Sequence, residues 1–155
     1  MRVAIGCDHA GYELKRLIAP FLEQAGHELL DEGTHSGASC DYPDYAERVA
    51  LRVRSGEAER GILICATGVG MAMAANKVAG IRAALCNDLY TARYSRLHND
   101  ANVLALGARV VGPGLAEEIV SVWLETSFEG GRHARRVEKL RDIEKNHGRT
   151  ADERS

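Results

Sequence analysis

The sequence predicts an α/β fold: a doubly wound, three-layer sandwich whose five-stranded parallel sheet is Rossmann-like and covered by helices on both faces. Three observations carry this. Short apolar runs alternate along the chain with longer amphipathic segments. The run Gly61–Ala66 is apolar without alternation, as a strand buried on both faces is. Strand and helix signals take turns, which makes βαβ units and a parallel sheet.

The first expected strand is Arg2–Cys7. Leu14, Leu17, Ile18, Phe21, Leu22 and Ala25 then recur at helical spacing until Gly26 stops the helix. His27–Asp31 reads as the second strand. Gly33–Asp44, rich in Gly, Ser and Asp with one Pro, reads as a long irregular connection, a kind that often carries function. Ala46, Val49, Ala50 and Val53 predict a helix over Tyr45–Arg54, and Gly61–Ala66 is the third strand. Thr67-Gly68-Val69-Gly70 turns the chain into a small-residue helix over Met71–Val78. Ile81–Cys86 is the fourth strand, Asp88–Leu97 a helix with Asp88 as N-cap, and Ala101–Leu106 the fifth strand. Gly112-Pro113-Gly114 opens a helix to about Thr126. Arg132–Lys145 has helical propensity but only Val137, Leu140 and Ile143 as anchors. So narrow a stripe suits contact with a second subunit. Residues 1–146 therefore read as one domain and 147–155 as a polar, flexible tail.

Composition excludes several classes of function. Among 155 residues, 20 Lys plus Arg face 22 Asp plus Glu, a net charge of -2 with no basic footprint for nucleic acid or an anionic membrane. Apolar runs fall far short of the roughly 18 residues a membrane span needs. Asp8 and His9 interrupt the amino-terminal run before a signal-peptide core forms, so a cytoplasmic protein is expected. Cys7, Cys40, Cys65 and Cys86 form no C-x-x-C pair, so neither a disulfide framework nor a zinc couple is expected.

Open parallel sheets bind ligands beyond the carboxyl ends of their strands. Those ends carry Cys7-Asp8-His9, Cys65 to Gly70 and Cys86-Asn87-Asp88, and the segment before the fifth strand, His98-Asn99-Asp100, is assigned to the same rim. Thr67-Gly68-Val69-Gly70 lies between a strand and a helix, where backbone N–H groups can seat an anion. The loop lacks the third glycine of a dinucleotide fingerprint and the lysine of a P-loop, so it suits a small anion better than NAD or ATP. Cys65 precedes it, near a helix amino terminus that favours a thiolate able to act as base or nucleophile. Cys7 and Cys86 read as inert packing, and Cys40 is assigned no role. Arg132 and Arg136, four residues apart, share a helix face and can grip one phosphate, with His133 and Arg135 crowding the same turn.

At these residues the sequence resembles the ribose-5-phosphate isomerase B family of sugar-phosphate isomerases. The resemblance runs from Val3 to about Glu144 through Gly6-Cys7-Asp8-His9-Ala10-Gly11, Asp41-Tyr42-Pro43, Ile64 to Gly70, Ala74-Ala75-Asn76-Lys77, Arg96 to Leu104, Gly107-Ala108-Arg109 and Glu129-Gly130-Gly131-Arg132-His133. It implies a metal-independent, cofactor-free aldose–ketose isomerase acting on ribose 5-phosphate and ribulose 5-phosphate. It also implies a homodimer or a tetramer whose sites draw residues from both chains of a dimer. By the same resemblance Cys65 moves a proton between C1 and C2, and His98 helps open the furanose ring. Thr67 with the Gly68, Val69 and Gly70 amides holds the enediolate, and Ala66 lines the bound substrate. Asp8, His9, Tyr42, Asn99, Arg109, Arg132 and Arg136 bind substrate. Two departures stand out. Ala66 replaces a glycine common in relatives, and Met71 stands where another branch of the family has a glutamate base. Allose or galactose 6-phosphate is the alternative substrate. A non-catalytic phosphosugar-binding module and a thiol redox protein are the rivals from other classes.

Overall fold

A computed structural model of the chain describes residues 1–148. The elements are β1 (Arg2–Cys7), α1 (Tyr12–Gln24), β2 (Glu28–Asp31), α2 (Tyr42–Arg54), β3 (Arg60–Cys65), α3 (Val69–Ala75), β4 (Ala83–Leu85), α4 (Leu89–Leu97), β5 (Val103–Gly107), α5 (Pro113–Glu125) and α6 (Arg132–His147). The sheet runs β2-β1-β3-β5-β4 and every pairing is parallel. The predicted fold class is the one observed.

Side-chain period along the central strands divides the core into two layers. Ile62 and Ile64, with Val3, Ile5, Leu104 and Leu106, face Leu14, Ile18 and Leu22 of α1 and Ile119 and Trp123 of α5. Leu63 and Cys65, with Ala4, Val103 and Ala105, face Ala46, Val49 and Ala50 of α2 and Met71 and Ala75 of α3. Each fully buried Ile or Leu contributes roughly 1.5–3 kcal/mol through removal of apolar surface from water. The chain winds outward in opposite directions from the pair β1 and β3, the topological switch point beyond whose carboxyl ends parallel sheets place their ligands.

The differences from expectation lie at element ends. α2 begins three residues early, at Tyr42, because Asp41 takes the N-cap position and Pro43 fits the first turn, where no N–H partner is needed. α3 stops at Ala75; the Asn76 side chain then accepts the Ala83 N–H at 2.8 Å and donates to its carbonyl at 3.0 Å, serving β4 as a strand would. Ile81 and Arg82 fall outside β4, the Arg82 N–H being taken by Asn102 Oδ1 at 2.8 Å. Asp88 caps α4 as expected, its Oδ1 accepting the Thr91 N–H at 2.7 Å. α6 buries only His133 and Val137, leaving Leu140 and Ile143 47% and 59% exposed. His147, expected in the tail, closes α6, and residues 149–155 of that tail lie outside the described residues. Among the described residues no helix is long and apolar enough to cross a membrane.

Candidate active site

The carboxyl rim is assembled mainly by the backbone. Cys7 ends β1 beside Ile64, and the following turn packs so closely on β3 that a Cβ on Gly11 would lie 2.3 Å from the Ile64 carbonyl oxygen. Asp8 is buried and its Oδ1 accepts the N–H groups of Ala10 and Gly11 at 3.0 and 3.1 Å, which fixes the turn that presents His9. His9 Nδ1 accepts the Cys40 N–H at 3.2 Å, so the connection after β2 is tied to the same place. Its neutral ring then carries the proton on Nε2, free to donate outward. Tyr42 lies against Gly70, where an added Cβ would come within 2.7 Å of the phenol ring. Arg109 sits on this rim too, its N–H donating to the Ala66 carbonyl at 3.0 Å.

Cys65 is the last residue of β3, 5% exposed, and its Sγ accepts the Gly68 N–H at 3.1 Å. Gly68 adopts φ +82°, a left-handed conformation that points its N–H back at the sulfur. The Val69 N–H meets Thr67 Oγ1 at 3.2 Å. Of the three amides expected to hold an oxyanion, two therefore have partners inside the loop. Gly70, in the first turn of α3, keeps an N–H that the helix leaves open.

His98 and Asn99 correct the sequence reading. They follow α4, which runs back along the sheet, and so lie at the amino rim with Asn102, whose carbonyl accepts the Gly61 N–H at the start of β3. A connection that precedes a parallel strand lies at that strand's amino end. β5 separates the rims by roughly 13 Å at about 3.3 Å per residue. His98, Asn99 and Arg136 line a pocket of about 330 Å³ with His133, Val137 and Leu140, and Arg132 opens α6 beside it. The structure thus gathers Asp8, His9, Tyr42, Cys65, Ala66, Thr67, Gly68, Val69, Gly70 and Arg109 at one end, and His98, Asn99, Arg132 and Arg136 at the other.

The amino rim also holds Tyr94, Glu129 and His133, to which the sequence reading assigned no site role. His98 stacks on His133, with centroids 4.0 Å apart and planes at 11°, and Tyr94 packs edge-on at 4.9 Å. Glu129 Oε2 lies 3.8 and 3.9 Å from Nε2 of His98 and His133. One signal was legible, the i, i+4 pair of Tyr94 with His98 at the end of α4; Glu129 precedes α6, and its approach to His133 comes from the turn through Gly130 and Gly131. Burial and the neighbouring His98 push the His133 pKa below the ordinary histidine value. The three donor atoms lie within 4.8 Å of one another, a cluster the sequence did not announce, yet the nearly parallel rings aim their lone pairs alongside rather than toward a common point.

Cys7 and Cys86 behave as packing. Burial raises the Cys7 pKa to about 11 against the opposing pull of Lys15, and burial likewise raises that of Cys86.

The family model for ribose/galactose isomerases matches residues 3–140. Ribose-5-phosphate isomerase B of Escherichia coli is 54% identical over 92% of this chain and 96% of its own length. D-erythrulose-4-phosphate isomerase of Pectobacterium atrosepticum is 48% identical over 90% of this chain and 93% of its own. The structure of Clostridium thermocellum ribose-5-phosphate isomerase B superposes with a TM-score of 0.94 at 58% identity, covering 96% of this chain and all of that one. A match this long, spanning both rims and every strand between them, places the chain in the ribose/galactose isomerase family.

Proposed function

We propose that this protein is an aldose–ketose isomerase interconverting ribose 5-phosphate and ribulose 5-phosphate, working as a homodimer. One observation carries the reading: a thiol at the carboxyl end of a central strand, its sulfur held by a glycine N–H, beside a loop with an open helix amide. The names of the Escherichia coli and Clostridium thermocellum proteins supply the substrate.

In this reading the thiolate of Cys65 removes the proton from C2 of the open-chain aldose. Electrons flow into the C1 carbonyl, and the enediolate oxygen is held by Thr67 and the Gly70 N–H. The proton returns from Cys65 to C1 while the C2 hydroxyl proton passes to the C1 oxygen, leaving the carbonyl at C2 and a hydroxyl at C1. No electron leaves the substrate, so the chemistry itself calls for no redox partner. Asp8, with one oxygen committed to its own turn, offers the other to a sugar hydroxyl, and His9 donates through Nε2. Tyr42 walls the pocket.

His98 is assigned ring opening, Asn99 a contact to sugar hydroxyls, and Arg132 and Arg136 the phosphate. Within one chain these groups stand a strand's length from Cys65, too far to act on one small sugar. A second copy supplies them, its amino rim facing the first copy's carboxyl rim. Exposed Met73, Leu85, Tyr90, Leu140 and Ile143 offer the apolar surface for that contact.

The test is conversion of ribose 5-phosphate by purified protein in EDTA, with erythrulose 4-phosphate and allose 6-phosphate alongside and Cys65→Ser as control. Conversion of ribose 5-phosphate with the highest kcat/KM, lost in Cys65→Ser, is expected. Preference for the four-carbon sugar would follow the Pectobacterium relative, and preference for the six-carbon one would follow the galactose branch of the family. No turnover of any of them would favour a binding module.

A further inference from the structure

We infer that Asn87 is a positioning residue for the Cys65 thiol, acting through the single peptide group between Thr67 and Gly68. This rests on Cys65 being the base. Asn87 Nδ2 donates to the Thr67 carbonyl at 3.1 Å, and Asn87 Oδ1 accepts the Gly107 N–H at 2.8 Å. The Thr67 carbonyl and the Gly68 N–H belong to one planar trans unit, so they point in opposite directions. The far end of that unit is the N–H that meets Cys65 Sγ at 3.1 Å. Holding the carbonyl therefore aims the N–H, and donation to the carbonyl polarises the peptide and strengthens the bond to sulfur.

The surroundings show why a side chain is needed for this. Beyond the last β3–β5 pair, Cys65 with Gly107, the Cys65 and Ala66 carbonyls are taken by the N–H groups of Ala108 and Arg109 at 2.8 and 3.0 Å. The Thr67 carbonyl is next in the series, and its partner is the Asn87 side chain. Asn87 is itself held firmly. The preceding Cys86 N–H bonds the Ala105 carbonyl at 3.1 Å, and the following Asp88 caps α4 through Thr91. Gly107 allows the close approach: a Cβ there would lie 2.6 Å from the Thr67 carbonyl oxygen. Only a carboxamide supplies a donor and an acceptor at this spacing; aspartate keeps the acceptor for Gly107 and turns a second acceptor toward the Thr67 carbonyl.

The experiment compares wild type, Asn87→Asp and Asn87→Ala by iodoacetamide labelling of the Cys65 peptide, resolved by mass spectrometry at neutral pH, together with kcat, KM and thermal melting. In either folded variant, Cys65 labelling and kcat for ribose 5-phosphate should fall by about five- to tenfold, the scale of one lost hydrogen bond. KM should stay within about twofold, because the groups that grip the phosphate are untouched. Should Asn87→Asp not fold, Asn87→Ala, which removes the repulsive carboxylate, carries the same expectation. Unchanged Cys65 labelling in a folded variant overturns the inference, as does a loss of activity expressed wholly in KM. Labelling needs no substrate. A wild type that isomerises nothing while Asn87 still governs the Cys65 label would therefore refute the isomerase reading and leave this one standing.

Discussion

The two rims of the sheet are built on opposite plans. At the carboxyl rim, strand ends, tight turns and backbone N–H groups fix Asp8, Cys65 and the Thr67–Gly70 loop, and the three successive carbonyls of Cys65, Ala66 and Thr67 have assigned partners. At the amino rim the candidate groups are side chains on helix ends: Arg132 and Arg136 project from α6 into solvent, and His98 is steadied by ring contacts with Tyr94 and His133 and by Glu129, 3.8 Å from its Nε2. The contrast suits a division of labour. A base must be held to fractions of an ångström, whereas long cationic side chains can close on a phosphate as it arrives.

The comparison can be broken in steps. Cys65→Ser should lower kcat by about a hundredfold to ten-thousandfold, the range for a lost general base, with the melting temperature nearly unchanged. A variant that is still active would remove the carboxyl rim from the chemistry. Arg136→Ala should lower kcat/KM by roughly ten- to a hundredfold for the phosphorylated sugar, the loss of a charge-assisted contact, and far less for unphosphorylated ribose. Equal losses on both sugars would take the phosphate away from the amino rim. The smallest effect concerns His133, whose buried ring disfavours protonation in the folded state. As pH falls below the ordinary histidine value of 6.5, the unfolded chain gains a proton that the native one refuses, and stability declines. Urea midpoints for wild type should drop more across that range than those for His133→Gln. Equal slopes would mean the ring titrates freely.

Much of this was legible in the residues. Continuous apolar runs named the central strands, because a strand covered on both faces has no polar side to show. The polar ends Asp8-His9 and Thr67 to Gly70 pointed to the carboxyl rim by the same strand-to-loop logic. Element ends were harder: Pro43 reads as a loop signal yet is at home in the first turn of α2. β4 lost Ile81 and Arg82 because the Ile81 N–H turns back to the Val78 carbonyl and the Arg82 N–H meets the Asn102 side chain rather than a strand partner. Hydrophobic period identifies an element without saying which end of the sheet its flanks occupy, and so His98 and Asn99 were assigned to the wrong rim. Asn87 looked like one more polar turn residue, since nothing in linear order ties it to Thr67 or Gly107.

The central claim is that a working site joins the carboxyl rim of one chain to the amino rim of another. Cys65→Ser and His98→Asn should each be nearly inactive alone. Unfolding the two together in equal amounts and refolding them should restore about a quarter of wild-type activity, since half of the random dimers carry one intact composite site each. No recovery from mixed, dimeric protein would contradict the account and return both residues to a site within a single chain.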